Sequence, residues 1–418
     1  MSIKLRLIIM NFMQFFIWGA WLLTVGSYWF QNKHWAPDDF GNVFSTMGYS
    51  SILMPALMGI VADKWIPAQK LYGVLHLLGA CVLLYIPHIG SPQLFFWVML
   101  LNMAFYMPTL SLSITVAYHS LKEYNKDVVK EYPPIRVWGT VGFIAALWVV
   151  SLTHSETTSN QFYIAAACAF ILGIYSFTLP KCLPSEKGAE EKSFADALGL
   201  NAFKLFKNKR FAIFFIFSML LGAALQLTNA YGDTYLHDFA GVAAFKDTIA
   251  VKYPAIIMSI SQVSETLFIL AIPFFLKKFG IKYVMLISMV AWVLRFGLFA
   301  YGNPADGLWM IILSCIIYGM AFDFFNISGS LFVETHADTK MRASAQGLFM
   351  MMVNGFGAVL GSMISGILIQ KYYLFGDGSK DWKSIWVMFA LYALVLSVIF
   401  PFVFKNKGSQ VSLENLHH

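Results

Sequence analysis

Pro184-Ser185-Glu186-Lys187-Gly188 decides the fold, because it lies in the only long polar connection of the chain, Lys181 to Arg210. A short charged stretch bounded by Pro and Gly reads as a linker. On either side the sequence is apolar: of 418 residues 58% are hydrophobic, 17% aromatic and only 12% charged, a balance that excludes a soluble globular protein. Twelve segments approach the ~20 apolar residues that a bilayer core requires, near positions 6–30, 40–62, 70–90, 94–118, 133–154, 160–180, 211–235, 253–277, 281–301, 307–332, 342–371 and 383–404. Six precede the linker and six follow it. The expected fold is therefore an all-α integral membrane protein, with twelve transmembrane helices in two six-helix bundles at 1–180 and 211–404. A cytoplasmic linker, 181–210, joins them, and a cytoplasmic tail covers 405–418. The first segment follows Lys4 and Arg6 as a signal peptide would, but it is too long for an h-region and lacks a small-residue cleavage site, so it reads as a span.

The net charge of +7 does not mark a nucleic-acid surface. With both termini placed in the cytoplasm, 21 of the 29 Lys and Arg residues fall on that side, six on the other, and Arg136 and Arg295 within spans. That asymmetry is the positive-inside rule. Cys81, Cys168, Cys182 and Cys315 show no CxxC spacing, so neither a disulfide framework nor a metal site is expected.

Within the spans, polar residues sort by helical phase, since i, i+3, i+4 and i+7 share a face. Arg136, Thr140 and Phe143 form one stripe after Pro133-Pro134, a natural helix start. Gln226 and Asn229 form a second with Asp233 one turn on, and Gln262 and Glu265 a third. Tyr318 and Phe322 form a fourth, with Asp323 beside them and Asn326 a turn further. Asn11, Gln14 and Trp18, and Asn102, Tyr106 and Thr109, add two more. Amides and hydroxyls also bond across packed membrane helices, so Asn11, Gln14 and Asn102 read equally as glue or as ligands. Arg136 reads equally as a site cation or as one that snorkels from a nearby helix end. Arg295 reads as a structural ion pair or a snorkelling cation, and His76 and Glu334 as structural. Glu265 and Asp323 differ, because a carboxylate at that depth costs roughly 2.5–3.5 kcal/mol unless it works or is paired. Amides supply paired donors and acceptors, rings supply stacking faces, and carboxylates accept from hydroxyls. Such a lining suits a neutral polar solute with a ring. A phosphorylated solute would meet two acids and at most one cation.

Two resemblances follow from these residues. The six-plus-six plan and Gly59-Ile60-Val61-Ala62-Asp63-Lys64 resemble the major facilitator superfamily and its G-x-x-x-D-[RK] loop signature, with Asp63 as a structural gate charge. The copy departs after Lys64, where Trp65-Ile66-Pro67-Ala68-Gln69-Lys70 lacks the glycine and basic pair. More specifically, the run 133–143, Gln226-x-Thr228-Asn229, Ser261-Gln262-x-x-Glu265-Thr266-Leu267-Phe268, the run 318–329 and Arg342-Ala343-Ser344-Ala345-Gln346-Gly347 resemble the nucleoside:proton symporter family. The likeness spans essentially the whole chain, except 232–252 and the tail after Lys405. It implies uptake of purine and pyrimidine nucleosides such as uridine and adenosine, driven by protons across the inner membrane. It also implies that Arg136, Thr140, Phe143, Gln226, Asn229, Gln262, Glu265, Tyr318 and Phe322 line the nucleoside site and that Asp323 carries the proton.

The expected mechanism is alternating access by rocking of the two halves. Burial favours the neutral form of a carboxyl, so Asp323 can take a proton outside and release it inside. At 100 mV one charge supplies roughly 2.3 kcal/mol, a gradient of on the order of 50-fold. No cofactor, metal, ATP motif or nucleic acid is called for, the protein is not read as an enzyme, and the expected working unit is a monomer in the lipid bilayer. A sugar:proton symporter of the same fold stays open as an alternative, as does a multidrug antiporter. A receptor or intramembrane hydrolase has no H-E-x-x-H, G-x-S-x-G or G-x-G-D stretch to support it.

Overall fold

Lipid offers backbone groups no hydrogen bonds, so apolar runs of this length must close their ladders internally as helices. The computed structural model describes residues 1–184, 200–338 and 341–404, and these are helical almost throughout. Ser185 to Gly188, on which the linker reading rests, and the tail 405–418 lie outside the described residues.

Helix α1, Ile3–Gly19, opens on Ser2, whose hydroxyl accepts from the Leu5 amide at 3.3 Å; the chain turns over 20–24 and resumes as Val25–Ser27 and a π-turn, Tyr28–Asn32. Helix α2, Pro37–Lys64, begins with Pro37 followed by Asp38 and Asp39, a favourable first turn for a helix dipole. Next come α3, Ala68–Tyr85, α4, Pro92–Glu123, α5, Val128–Leu152, α6, Asn160–Ser176, and α7, Lys209–Asp238. The 48-residue stretch Pro254–Tyr301 is too long for one crossing at ~1.5 Å per residue. Gly280, at φ 73°, adopts the left-handed backbone that only glycine takes at little cost, and divides the stretch into α8 (254–279) and α9 (281–301). Helix α10 is Leu308–His336, and α12 is Trp382–Val403. Between them α11 covers 342–372 as Arg342–Met350, a π-segment Met351–Gly357 and Ala358–Tyr372.

Helix α5 starts earlier than the prolines imply. Its first turn is at Val128, with the Asp127 carboxylate accepting from the Lys130 amide at 3.3 Å, so Pro133 and Pro134 lie inside the helix. Arg136 then sits two turns into the helix rather than at its mouth. Asp63 and Lys64 likewise form the last turn of α2 rather than a loop, with Asp63 exposed.

Helices α1–α6 pack among themselves, as do α7–α12, and the two bundles meet along three seams: α2 with α11, α5 with α8, and the end of α1 with α7. At the second seam Trp148 Nε1 donates to Ser259 Oγ at 3.0 Å. The end of the bundle opposite the N terminus is tightly closed. A Cβ on Gly26 would lie 2.5 Å from Thr234 Oγ1 and 2.7 Å from the Ala230 carbonyl, so only glycine permits this approach of α1's continuation to α7. Beside it Phe40 of α2 packs edge-on against Tyr231 of α7, ring centroids 5.7 Å apart.

Candidate functional site

A central cavity of about 1080 Å³ lies between the two bundles. Its wall extends through Ser51–Ala56 of α2, Ser111–Ile114 of α4 and Ser344–Asn354 of α11, all toward the end of the bundle at which α1 begins. The opposite end is shut.

All nine side chains singled out in the sequence for the solute site lie on this wall: Arg136, Thr140 and Phe143 from α5, Gln226 and Asn229 from α7, Gln262 and Glu265 from α8, and Tyr318 and Phe322 from α10. Tyr318 and Phe322 stack one turn apart, their ring planes 7° apart and centroids at 5.8 Å. Together they present a continuous aromatic face. Arg136 is the only Lys or Arg on the wall among the described residues, and its guanidinium lies 4.1 Å from the Phe15 ring centre, while its charge reaches Glu265. Gln226 and Gln262 are buried, yet the side-chain carbonyl oxygen of each has no hydrogen-bond partner among the described residues. A buried acceptor left without a partner is costly, so these two atoms are suited to a donor on a solute.

Asp323 stands apart from the nine. It is buried at 4% exposure, off the cavity wall and next to Phe322, and its Oδ2 has no hydrogen-bond partner among the described residues. Glu265 is the charged neighbour that bears on it. The acid is thus buried beside the aromatic face and electrostatically connected to the cavity wall through Glu265.

Of the other stripe residues Trp18 also reaches the wall, and the rest go elsewhere. Asn326 does not reach the cavity and donates to the Phe322 carbonyl of its own helix at 3.2 Å. Asn11 donates to the Leu7 carbonyl at 3.0 Å, and Asn102 lies beside a separate small void with His76. Gln14, Thr109, Tyr106 and His76 bond to one another inside the first bundle. Asp233 points into a cluster at the closed end with Glu156 and His237. Arg295 neither snorkels nor, among the described residues, forms an ion pair. It is fully buried, donates to the Ser314 carbonyl at 2.6 Å, and places its guanidinium 4.6 Å from the Tyr318 ring centre, bracing that ring from behind. Phase arithmetic also passed over Phe15, Ser51, Ser111, Met350 and Asn354, all on the wall. Asn354 sits in the π-segment, where an extra residue per turn rotates the face that i, i+3, i+4 spacing implies. Its signal is the Asn354-Gly355-x-Gly357 run in an otherwise apolar span.

A profile described as nucleoside H+ symporter matches residues 1–409. The xanthosine permease of Escherichia coli (strain K12) is 54% identical over 406 residues, covering 97% of this chain and 96% of the relative. The nucleoside permease NupG of the same organism is 50% identical over 412 residues, covering 98% of each. A crystal structure of the nucleoside transporter NupG superposes with a TM-score of 0.92 at 50% identity, covering 97% of this chain and all of that one. A POT family transporter at 14% identity shares the fold, with a TM-score of 0.70. The fold is that of the major facilitators, and the chain is a multi-pass membrane transporter. It belongs to the nucleoside H+ symporter family.

Proposed function

We propose that the chain takes up purine and pyrimidine nucleosides, uridine and adenosine among them, together with protons across the bacterial inner membrane. Its halves, 1–180 and 211–404, rock about the cavity, joined by the cytoplasmic linker 181–210 and followed by the cytoplasmic tail 405–418. Both termini are cytoplasmic, an orientation supported by the excess of basic residues on that side, and the monomer in its bilayer is the working unit. The closed end of the bundle is then the outer end.

Convergence of nine side chains from four helices on one cavity supports this reading. A cavity of about 1080 Å³ exceeds the volume of a small ligand and leaves room for water around a nucleoside. The base lies on the Tyr318–Phe322 face and offers its edge to Gln226, Asn229 and Gln262. Ribose hydroxyls donate to Glu265, and Thr140 and Phe143 close the α5 side. Asp323 binds the proton from outside, and its neutralisation removes the repulsion with Glu265, which lets the loaded halves reorient. Release follows when the cavity opens to the more alkaline cytoplasm. Asp63, exposed at the end of α2, serves as a gate charge on that side.

Competition for uptake of labelled uridine tests the substrate class. With Arg136 as the one basic residue on the wall among the described residues, a phosphate would shed water beside an uncompensated carboxylate. Unlabelled uridine is expected to compete, its 5′-monophosphate and ribose to fail. Equal competition by the monophosphate would overturn the neutral-nucleoside assignment, and strong competition by ribose or a disaccharide would move the chain to sugar transport.

A further inference from the structure

The outer end carries a second buried group of titratable residues, remote from Asp323. Asp233 and His237 lie one turn apart near the end of α7, and Glu156 lies in the connection between α5 and α6. Glu156 and Asp233 are 2% and 1% exposed. Asp233 Oδ2 accepts from Ser27 Oγ at 2.5 Å and stands 3.6 Å from His237 Nε2. Glu156 Oε2 is 2.9 Å from the same Nε2, at an angle short of a hydrogen bond, and Glu156 Oε1 accepts from the Ala255 amide at 3.0 Å. Gln161 fixes the Glu156 loop, donating to the Glu156 carbonyl at 2.7 Å and accepting from Thr24 Oγ1 at 2.9 Å.

Two features distinguish this group from an ordinary core network. It straddles the seam, since Ser27 and Glu156 come from the first half and Asp233, His237 and Ala255 from the second. It is also short of hydrogens: one Nε2 faces two carboxylates, and Asp233 Oδ1, buried, has no hydrogen-bond partner among the described residues. With an imidazolium the group carries a net charge of −1, and one further proton makes it neutral. The charges bearing on His237 are Asp233, Glu156 and Asp238, and those bearing on Asp233 are His237 and Glu156. Asp238 is occupied by Lys380 at 3.0 Å and Trp382 Nε1 at 2.9 Å. On the neighbouring segments, Lys252 pairs with Asp247, and the His154 ring stacks on Tyr253 with centroids 5.8 Å apart.

We infer that Glu156, Asp233 and His237 form a second proton-binding site, at the outer seam, whose protonation holds the outer end shut. Loss of that proton and then of the imidazolium proton leaves two carboxylates on opposite halves facing a neutral imidazole, and their repulsion favours parting of the seam. The sign suits a symporter, because an acidic outer solution then favours closure over a loaded cavity. This proton binds and leaves on the outer side and is separate from the one at Asp323. The inference rests on the alternating-access reading above.

Spin labels at Asn160→Cys and Lys246→Cys, exposed positions on the outer side of each half, report the seam by their distance distribution in a full-length chain carrying Cys81→Ser. In the otherwise unaltered chain the short-distance population is expected to fall as pH rises. In Glu156→Gln/Asp233→Asn, which keeps the shape without the charges, it is expected to stay high at every pH, with uridine still bound by the central cavity. His237→Gln, leaving two carboxylates with no imidazole, is expected to move opening to lower pH, and it tests the site even if the double variant fails to fold. An unchanged pH profile in both variants overturns the proposal alone. Closure by Zn²⁺ but not by protons overturns it in favour of a metal. Labels that never separate in a chain that accumulates uridine overturn both this proposal and the rocking mechanism.

Discussion

Gln14 and Gln262 are the same residue type, both buried in the membrane-spanning part of the molecule, and their surroundings are opposite. Gln14 Nε2 donates to Thr109 Oγ1 at 2.8 Å, its Oε1 accepts from Tyr72 at 2.6 Å and meets His76 Nε2 at 2.9 Å, and its main-chain carbonyl accepts from Tyr106 at 2.8 Å. The Oε1 atoms of Gln262 and Gln226 have no such partner among the described residues, and both side chains face the cavity. A satisfied buried amide has done its work in the fold; an unsatisfied one that lines a void is available to a solute. Asp323 extends the contrast to charge, as a buried acid with an unpartnered oxygen behind the same wall.

The largest expected effect breaks the contrast at its charged end. Asp323→Asn keeps the shape but cannot titrate, so gradient-driven accumulation of uridine should be abolished while exchange of labelled for unlabelled uridine persists. Full accumulation by this variant would transfer the proton to another group, Glu265 first. The next test sets the two glutamines against each other. Gln262→Ala should weaken nucleoside binding by about 1–3 kcal/mol, measured by calorimetry on purified protein, with little change in thermal stability. Gln14→Ala should do the reverse, lowering stability by about 1–3 kcal/mol because Tyr72 and Thr109 lose a partner, while affinity in the folded fraction is unchanged. Matching profiles for the two variants would erase the distinction. A smaller effect sharpens the role of the aromatic face: Phe322→Ala should cost about 1–3 kcal/mol of affinity for purine and pyrimidine nucleosides alike, since stacking tolerates any base. A loss confined to one class would show that Phe322 reads base shape instead.

How much of this was legible in the sequence follows from helix geometry. Gln226 with Asn229, Gln262 with Glu265, and Tyr318 with Phe322 share faces because α7, α8 and α10 are regular α-helix at those positions, where spacing alone sets direction. The span count and the division between 253–277 and 281–301 were equally readable, from apolar length, and the structure places that break at Gly280. Phase says which residues share a face, however, and not what that face meets. Asn102, Tyr106 and Thr109 occupy a consistent stripe of α4 that turns inward to Gln14 and His76, a packing outcome no local pattern encodes. Asp233 extends the Gln226–Asn229 stripe, yet it lies at the sealed end, where Ser27 and His237 meet it. Arg295 was misread because its partners are a carbonyl and a ring rather than a carboxylate. Asn354 escaped because a π-turn breaks the periodicity on which the method depends.

A proton gradient driving a neutral nucleoside through this cavity is read out by labelled uridine uptake into proteoliposomes of the purified chain, acidic outside and alkaline inside. Accumulation above the external concentration is expected, collapsing to equilibration when a protonophore is added and absent from Asp323→Asn vesicles. Accumulation that survives the protonophore, or uptake that never exceeds equilibration under the gradient, would contradict it.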